Sequence, residues 1–170
     1  MVRIPVFMLI LAACIHAERF AVLVANSDGG SRFERLKYTE NDIANMEKAL
    51  TDFCGFDESR IYRLVDEDPD DLDEKINELK TVCGKSDEDH LVLFYYSGHA
   101  QEGRLLMGGE EYKLGRLREH MQSFPASMRI GILDACQSGS YTRLKGGKLA
   151  EPFLFEQESK TEGEVLLYRL

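Results

Sequence analysis

Two residues with reactive side chains, His99 and Cys136, each follow an apolar segment that has the composition of a buried strand. The segments are HLVLFYY, which ends at Tyr96, and MRIGIL, which ends at Leu133, so each reactive residue lies three positions beyond its predicted strand. Because the carboxyl ends of neighbouring parallel strands meet at one edge of a sheet, we expect the imidazole and the thiol to face each other. A thiol beside an imidazole is an activated nucleophile, since the imidazole can accept the thiol proton and later protonate a leaving amine.

Each of the two residues also has an ordinary structural interpretation. A cysteine after a strand is more often a small buried apolar residue than a nucleophile, and His99 alone could cap a carbonyl or pair with a carboxylate. The combination of the two, at matching distances from their strands, favours nucleophilic catalysis. Backbone amides at Cys136 and in the glycine-containing turn predicted around His99 would then hold an oxyanion.

Short apolar runs alternate with helical periodicity from Phe20 onward, which is typical of βαβ units and a parallel sheet. The predicted helices start at Thr39, with Asp42 as its capping-box partner, and at Pro69, with Asp68 as the cap. The predicted strands are 20–25, 61–65, 90–96, 128–133 and 164–170, with a hairpin turning at Gly108 and Gly109 and a third helix ending at Pro125. The expected buried stripes of the helices are Ile43, Met46, Leu50 and Phe53, then Leu72, Ile76, Leu79 and Val82, and finally Leu114, Leu117, Met121 and Phe124.

The composition is that of an ordinary globular protein and argues against nucleic acid as a partner. Of the 170 residues, 44% are hydrophobic, and 21 basic against 30 acidic residues give a net charge of -9. That charge repels phosphate backbones and anionic lipid headgroups.

If the first strand lies between the second and the third, right-handed crossovers place the first two helices on opposite faces of the sheet. In that arrangement Cys54 and Cys83 are far apart, so no disulfide is expected between them.

Residues 1–17 have the pattern of a secretory signal peptide. Arg3 precedes an apolar run over 4–15, which is too short to span a bilayer. Cleavage after Ala17 and lipidation of Cys14, within the lipobox-like LAAC, are both open, and a buried N-terminal strand or helix is a third interpretation. The pattern favours export from the cytoplasm, to the periplasm or the medium, with no membrane span and with Cys14 as an alternative lipid anchor.

The motifs YYSGHA and LDACQSGS resemble the His and Cys motifs of the caspase-like cysteine peptidases, and are most similar to the metacaspase and bacterial caspase-family branch. The resemblance also covers ERFAVLVANSDGG, KYTENDIANMEKAL and GFDESRIYRLVDEDP, so it runs from Glu18 to Gly139. It implies a three-layer αβα caspase-like fold with a mainly parallel central sheet, in which residues 18–140 form the catalytic domain. It also implies that Cys136 is the nucleophile and His99 the general base and acid, acting on a peptide bond without a metal or cofactor.

The resemblance further implies an acidic pocket, formed by Asp42, Ser97 and Asp134, for the side chain before the cut. Carboxylates suit a cationic side chain in a partly desolvated pocket, so cleavage of a peptide or protein after Arg or Lys is expected. Capping of the helix at Thr39 is an alternative role for Asp42. The implied oxyanion donors are the amides of Ala100 and Cys136, with Ala100 in place of the family's usual glycine.

The C-terminal part is expected to be a truncated small-subunit half. Residues 141–163 are predicted to be a linker loop, in the region where relatives are cut during maturation, and 164–170 the start of a small-subunit strand. An unpaired edge strand there could pair with a second polypeptide or another copy of the chain. Three functions stay open: an endopeptidase specific for Arg or Lys, a legumain-like peptidase that cleaves after Asn, and a catalytically incomplete interaction or scaffold domain.

Overall fold

The computed structural model describes residues 18–85 and 89–135, together with the backbone of a strand at Glu164–Arg169. The strands are β1 (Arg19–Asn26), β2 (Ile61–Val65), β3 (Leu91–Gln101), β4 (Arg104–Met107), β5 (Glu110–Lys113), β6 (Met128–Asp134) and β7 (Glu164–Arg169). The helices are α1 (Thr39–Phe53), α2 (Pro69–Cys83) and α3 (Leu114–Gln122), and one 3-10 turn spans Glu58–Arg60. None of these described helices combines the length and the apolarity of a membrane span.

A mainly parallel sheet runs through the described structure, with the strand order β2-β1-β3-β6-β7. β1 pairs in parallel with β2 on one side and with β3 on the other, from Arg19 opposite Leu91 to Asn26 opposite Gly98. β1 is apolar and buried over nearly its whole length, as expected for a central strand that is covered on both faces. The first strand lies between the second and the third, which is the arrangement on which the expectation of no Cys54–Cys83 disulfide depended. The prediction of a mainly parallel α/β fold is confirmed.

β3 is longer than predicted and changes partners along its length. Its first part pairs in parallel with β1 and β6, and its last three residues, from His99 to Gln101, pair antiparallel with β4. β4 and β5 form the predicted hairpin, which turns at Gly108 and Gly109 with φ angles of 58° and 88°. Glycine adopts such left-handed angles without a steric penalty. The hairpin therefore extends β3 beyond the parallel part of the sheet.

Helices cover both faces of the sheet, which gives three layers. α1 packs on one face, where Ile43 and Leu50 join alternate residues of β1 in an apolar core. α2 and α3 pack on the other face, where Leu72 and Leu117 belong to a second core. Cys54, which follows α1, and the buried Cys83 of α2 are both free thiols, one at each face.

Two of the predicted helix stripes are wrong at their last position. Phe53 is 84% exposed, because the rotation of about 100° per residue has carried it away from the face of Ile43. Phe56, beyond the helix, packs into that core instead. In α2 the same rotation leaves Val82 37% exposed and returns Cys83 to the buried face.

The predicted first residue is correct for both helices, and the predicted cap is correct for α2 only. The Asp68 side chain accepts hydrogen bonds from the first-turn amides of α2, and the Asp71 carboxylate accepts one from the Asp68 amide, which completes a capping box. α1 has Tyr38 as its N-cap, without a side-chain hydrogen bond, and Thr39 is already helical. The capping role for Asp42 is therefore wrong, because Thr39 is not the cap.

Candidate active site

His99 lies inside β3, and the prediction of a turn beyond the strand is wrong. The antiparallel pairing of His99 with Leu106 in β4 keeps the backbone extended at this position. The histidine is buried, with 5% of its surface exposed, where β3 leaves the parallel sheet. This point is the carboxyl edge of the parallel strands, where functional groups collect in open α/β folds.

A backbone carbonyl fixes the imidazole of His99. Nε2 lies 2.8 Å from the backbone oxygen of Glu34. Because a carbonyl oxygen can only accept a hydrogen bond, Nε2 carries the ring proton, and Nδ1 is the basic nitrogen of the neutral ring. The bond therefore sets both the tautomer and the direction of the ring, which is what a general base needs.

The loop 27–36, which follows β1, covers the imidazole. The Phe33 ring lies 5.0 Å from the His99 ring, centre to centre. Gly29 packs so closely that a Cβ at this position would lie 2.6 Å from Cδ2 of His99. The Phe33 amide donates to the Gly30 oxygen at 3.0 Å, which closes a turn inside the loop. Contacts from the loop thus add to the Glu34 hydrogen bond in holding the ring.

Gly98 allows β3 and β4 to be joined beside the histidine. The Tyr96 hydroxyl lies 2.8 Å from the backbone oxygen of His99 and 2.8 Å from that of Leu106, so it connects the two strands. A Cβ on Gly98 would lie 2.4 Å from the same hydroxyl oxygen, closer than real contacts permit. The glycine of the SGH motif is therefore required by packing.

The structure brings the three predicted pocket residues together on the α1 face of the sheet. The Ser97 hydroxyl donates to the Asp42 carboxylate at 2.7 Å, and Ser97 lies opposite Asp134 in the pairing of β3 with β6. The Tyr95 hydroxyl donates to the Asp134 carboxylate at 3.1 Å. Burial and the adjacent carboxylates, Asp134 first and then Asp42, raise the pKa of Tyr95 above its usual range, so the phenol stays a hydrogen-bond donor.

Both carboxylates of this group are half-buried, and each accepts a hydrogen bond from a buried neutral hydroxyl. Within the described part of the chain, neither Asp42 nor Asp134 forms an ion pair with a cationic side chain. The arrangement therefore offers a cationic ligand two carboxylates and a hydrogen-bonded framework that orients them. No group of three or more metal-ligating side chains occurs within the ranges 18–85 and 89–135.

Of the two predicted oxyanion donors, Ala100 lies within the described residues and Cys136 does not. Ala100 lies in the antiparallel part of β3, opposite Leu105, and not in the expected glycine-containing turn. Cys136 lies outside the described residues, as do 1–17, with Cys14, and the predicted linker 141–163. β6 ends at Asp134, level with Ser97, so the chain leaves the sheet beside the segment of β3 that carries His99.

Sequence reasoning missed three groups at this site: the Glu34 carbonyl, Gly29 and Tyr95. Tyr95 could have been found, because it lies two positions before Ser97 and therefore points to the same face of the strand. The contacts of Gly29 and Glu34 join positions far apart in the chain, and nothing in the local pattern indicates them.

The fold and the site together define a three-layer α/β protein with a fixed histidine and a pair of hydrogen-bonded carboxylates at the carboxyl edge of a mainly parallel sheet. The family model described as the caspase domain, Peptidase_C14, matches residues 18–165. The chain therefore belongs to the caspase family of cysteine peptidases.

A solved structure, caspase-1 from Spodoptera frugiperda, has the same fold. The two chains are 16% identical and superpose with a TM-score of 0.63, over 90% of this chain and 57% of that one. At this identity the likeness concerns the fold, and this chain spans little more than half the length of that caspase. No curated protein matches the sequence.

Proposed function

We propose that this protein is an exported cysteine endopeptidase that cleaves peptide bonds after Arg or Lys. The observation that carries the proposal is the hydrogen bond from His99 to the Glu34 carbonyl, which leaves Nδ1 as the basic nitrogen at the carboxyl edge of the sheet. The motif LDACQSGS supplies the nucleophile, Cys136, directly after β6. Membership of the caspase family supports this assignment of the two residues.

The proposed reaction needs only these two side chains and water. His99 Nδ1 accepts the thiol proton of Cys136, and the thiolate attacks the carbonyl carbon of the peptide bond. The resulting oxyanion is stabilised by backbone amides, for which Ala100 and Cys136 are the candidates. Collapse breaks the C–N bond, and the imidazolium gives its proton to the leaving amine. Water then attacks the acyl-enzyme as its proton passes to His99, and the carboxylate product and the thiol are released.

The proposed specificity rests on the acidic pocket formed by Asp42, Ser97 and Asp134. A guanidinium or ammonium group gains charge-assisted hydrogen bonds from two carboxylates that the hydroxyls of Ser97 and Tyr95 already orient. An Asp side chain would instead bring a third negative charge into the pocket. Asn would offer only a neutral amide, so the legumain-like alternative receives no support from this pocket.

Hydrolysis of matched peptides that differ only in the residue before the cut tests this specificity. We expect cleavage after Arg and Lys and little after Asp or Asn. Asp42→Asn should lower kcat/KM for the Arg peptide by about tenfold or more, since hydrogen bonds to charged groups contribute about 1.5–3 kcal/mol. Asp52→Asn is the matched control, because Asp52 lies in the same helix and pairs with Lys48 at the surface. Comparable cleavage after Asp, or equal effects of the two variants, would refute the proposed pocket.

Export is proposed from the sequence of residues 1–17 alone. The mass of the mature protein from its own host distinguishes the alternatives. A chain that begins at Glu18 supports signal-peptide cleavage, and a chain that begins at a lipid-modified Cys14 supports a membrane-anchored lipoprotein. A mature chain that retains Met1 would contradict both.

A further inference from the structure

One carboxylate bonds both ends of the loop that covers the catalytic histidine. Asp66 follows β2, and its side chain accepts hydrogen bonds from the Ser27 amide at 2.6 Å and from the Ser27 hydroxyl at 2.8 Å. Arg35, at the far end of the loop 27–36, donates to the same carboxylate at 2.6 Å. The residue next to Arg35 is Glu34, whose carbonyl holds His99. Ser27 and Arg35, which Asp66 holds, therefore lie on either side of the loop residues that contact the imidazole. These residues are Gly29, Phe33 and Glu34.

The backbone of Asp66 has an uncommon conformation that directs its carboxylate to the loop. Its φ angle is 53°, in the left-handed region that is uncommon for residues other than glycine. Such a conformation costs energy and persists where the surrounding structure requires it. Its amide donates to the Ala25 oxygen at 2.8 Å, so the chain turns as it leaves the last rung of the β1–β2 pairing. The turn places the carboxylate at the end of β1, where the loop begins.

The charge of Asp66 is favoured by the same contacts. Burial alone would raise the pKa of this carboxyl, but the Ser27 amide and hydroxyl and the Arg35 guanidinium outweigh burial and bring the pKa below its usual range. A carboxylate accepts stronger hydrogen bonds than a neutral oxygen. The Arg35 side chain is 70% exposed, so the charge of its ion pair adds little to stability. Its hydrogen bond to Asp66 nevertheless restrains the residue next to Glu34, while the bonds to Ser27 restrain the start of the loop.

The elements around the loop are held independently of Asp66. The fully buried Asn26 donates from its amide group to the Glu67 oxygen at 2.9 Å and accepts from the Gly108 amide at 3.1 Å. The end of β1, the segment after β2 and the turn of the hairpin are thus already joined. Within the loop, the Leu36 amide also donates to the Ser27 oxygen at 3.0 Å, which keeps the two loop ends together without Asp66. Loss of the Asp66 carboxylate should therefore loosen the loop and leave its base and the sheet intact.

We propose that Asp66 is a positioning residue: by holding the loop at Ser27 and Arg35, it keeps the Glu34 carbonyl on Nε2 and so keeps His99 in its working tautomer and direction. The catalytic consequence rests on the proposed peptidase function. The effect on the imidazole does not, because the tautomer of His99 can be observed without any substrate.

The test compares the full chain with its Asp66→Asn and Asp57→Asn variants. Asparagine also tolerates the left-handed conformation, so the first change removes the charge without adding strain. Asp57 is the matched control, because it lies just before β2 and accepts from the amide and hydroxyl of Ser59 at 2.9 and 2.6 Å, far along the chain from the loop. The readouts are the imidazole nitrogen and Nε2–H signals of His99 in NMR spectra, and kcat and KM with an arginine peptide. His120, which contacts Asp73, is the internal reference.

In Asp66→Asn we expect the protected Nε2–H signal of His99 to disappear and the two ring tautomers to mix, with the His120 signals unchanged. We expect kcat to fall about tenfold to a hundredfold at similar KM, since a small misplacement of a catalytic group has effects of that size. Asp57→Asn should match the wild type. A retained His99 signal in folded Asp66→Asn, or an equal loss in Asp57→Asn, overturns the proposal. If no form of the protein cleaves peptide, the proposed function fails while the NMR comparison still decides the role of Asp66.

If circular dichroism shows that Asp66→Asn is unfolded, the Ser27→Ala, Arg35→Gln double variant replaces it. This variant keeps the carboxylate and removes its side-chain partners in the loop. Loss of the His99 signal in the folded double variant supports the proposal, and an unchanged signal overturns it.

Discussion

Backbone groups of the loop 27–36 orient the imidazole of His99. The Glu34 carbonyl bonds Nε2, and Gly29 lies so close that its lack of a side chain makes room for the ring. A carbonyl oxygen can only accept a hydrogen bond, so it fixes the tautomer of the neutral ring without placing a charged side chain beside it. The identity of residue 29 should therefore matter to catalysis although it has no functional group.

We predict that Gly29→Ala lowers kcat/KM by about a hundredfold, because the new methyl group would push the His99 ring away from Glu34. Steady-state kinetics with an arginine peptide measures the effect. Gly115→Ala is the matched control, since nothing lies within 4 Å of a Cβ at that helical position. It should leave activity unchanged and raise the free energy of unfolding by about 0.5–1 kcal/mol. Equal activity of the two variants would show that the space around Gly29 is not critical.

At the residue scale, sequence reasoning identified the residue types but not the groups that orient them. His99 and the cluster of Asp42, Ser97 and Asp134 follow from motifs that are readable in the chain. Glu34 contributes only its backbone oxygen, from 65 positions away. Because every residue type has a backbone oxygen, the sequence does not indicate which one contacts His99. The roles of Asp42, Ser97, Asp134, Ala100 and Cys136 stay predictions.

At the scale of the elements, the helix and strand ends differ in how far they could be predicted. The start of α2 followed from Asp68 and Pro69, because that capping box is entirely local. The start of α1 at Thr39 was also predicted, but its cap was not, because Tyr38 is the N-cap and the Asp42 carboxylate is bonded by Ser97 of β3. The length of β3 was also missed, since its last residues are held extended by pairing with β4.

α2 and α3 are joined by a charged network that should make stability depend on pH. Asp73 and Lys80 of α2 lie 3.2 and 2.8 Å from Nε2 and Nδ1 of His120 in α3. Arg116 and the Tyr112 hydroxyl also donate to the Asp73 carboxylate. Burial, and then the Lys80 charge, lower the pKa of His120, and the attraction of Asp73 does not compensate.

We predict that the free energy of unfolding falls as the pH drops below the ordinary histidine pKa of 6.5. The folded pKa is the lower one, so in this range the unfolded chain binds the proton more readily, and acid favours unfolding until the folded protein is protonated as well. His120→Gln should show a shallower dependence between about pH 7 and pH 5, in urea titrations beside the wild type. Identical slopes in the two proteins would exclude His120 as the source.

At the scale of the whole molecule, the candidate functional residues lie together at one edge of the sheet. The carboxyl ends of β1, β2, β3 and β6 supply the covering loop, Asp66, the histidine and Asp134, and α1 adds Asp42 from one face. This convergence was predictable, because it follows from parallel pairing and right-handed crossovers. The contact between the hairpin and β1 could not be predicted, because the hydrogen bond from the Gly108 amide to the Asn26 side chain joins residues that are far apart in the sequence.

The described thiols, Cys54 and Cys83, can be distinguished from Cys136 when the proposed nucleophile is tested by chemical labelling. Burial, and then the charge of Glu18, raise the pKa of Cys83 to about 11, so this thiol stays protonated and unreactive. Cys54 is an exposed free thiol and is the residue on which non-specific labelling is expected. Cys54→Ser therefore serves as the control for Cys136→Ala.

The most direct measurement is the intact mass of the purified protein after incubation with a thiol-reactive peptide inhibitor that carries arginine. We expect one adduct, which forms in Cys54→Ser, is absent in the Cys54→Ser, Cys136→Ala double variant, forms slowly in His99→Ala, and does not form with the matched aspartate reagent. An adduct that persists in the Cys54→Ser, Cys136→Ala double variant, equal labelling by the aspartate reagent, or no adduct on folded wild-type protein would be inconsistent with an arginine-directed Cys-His peptidase.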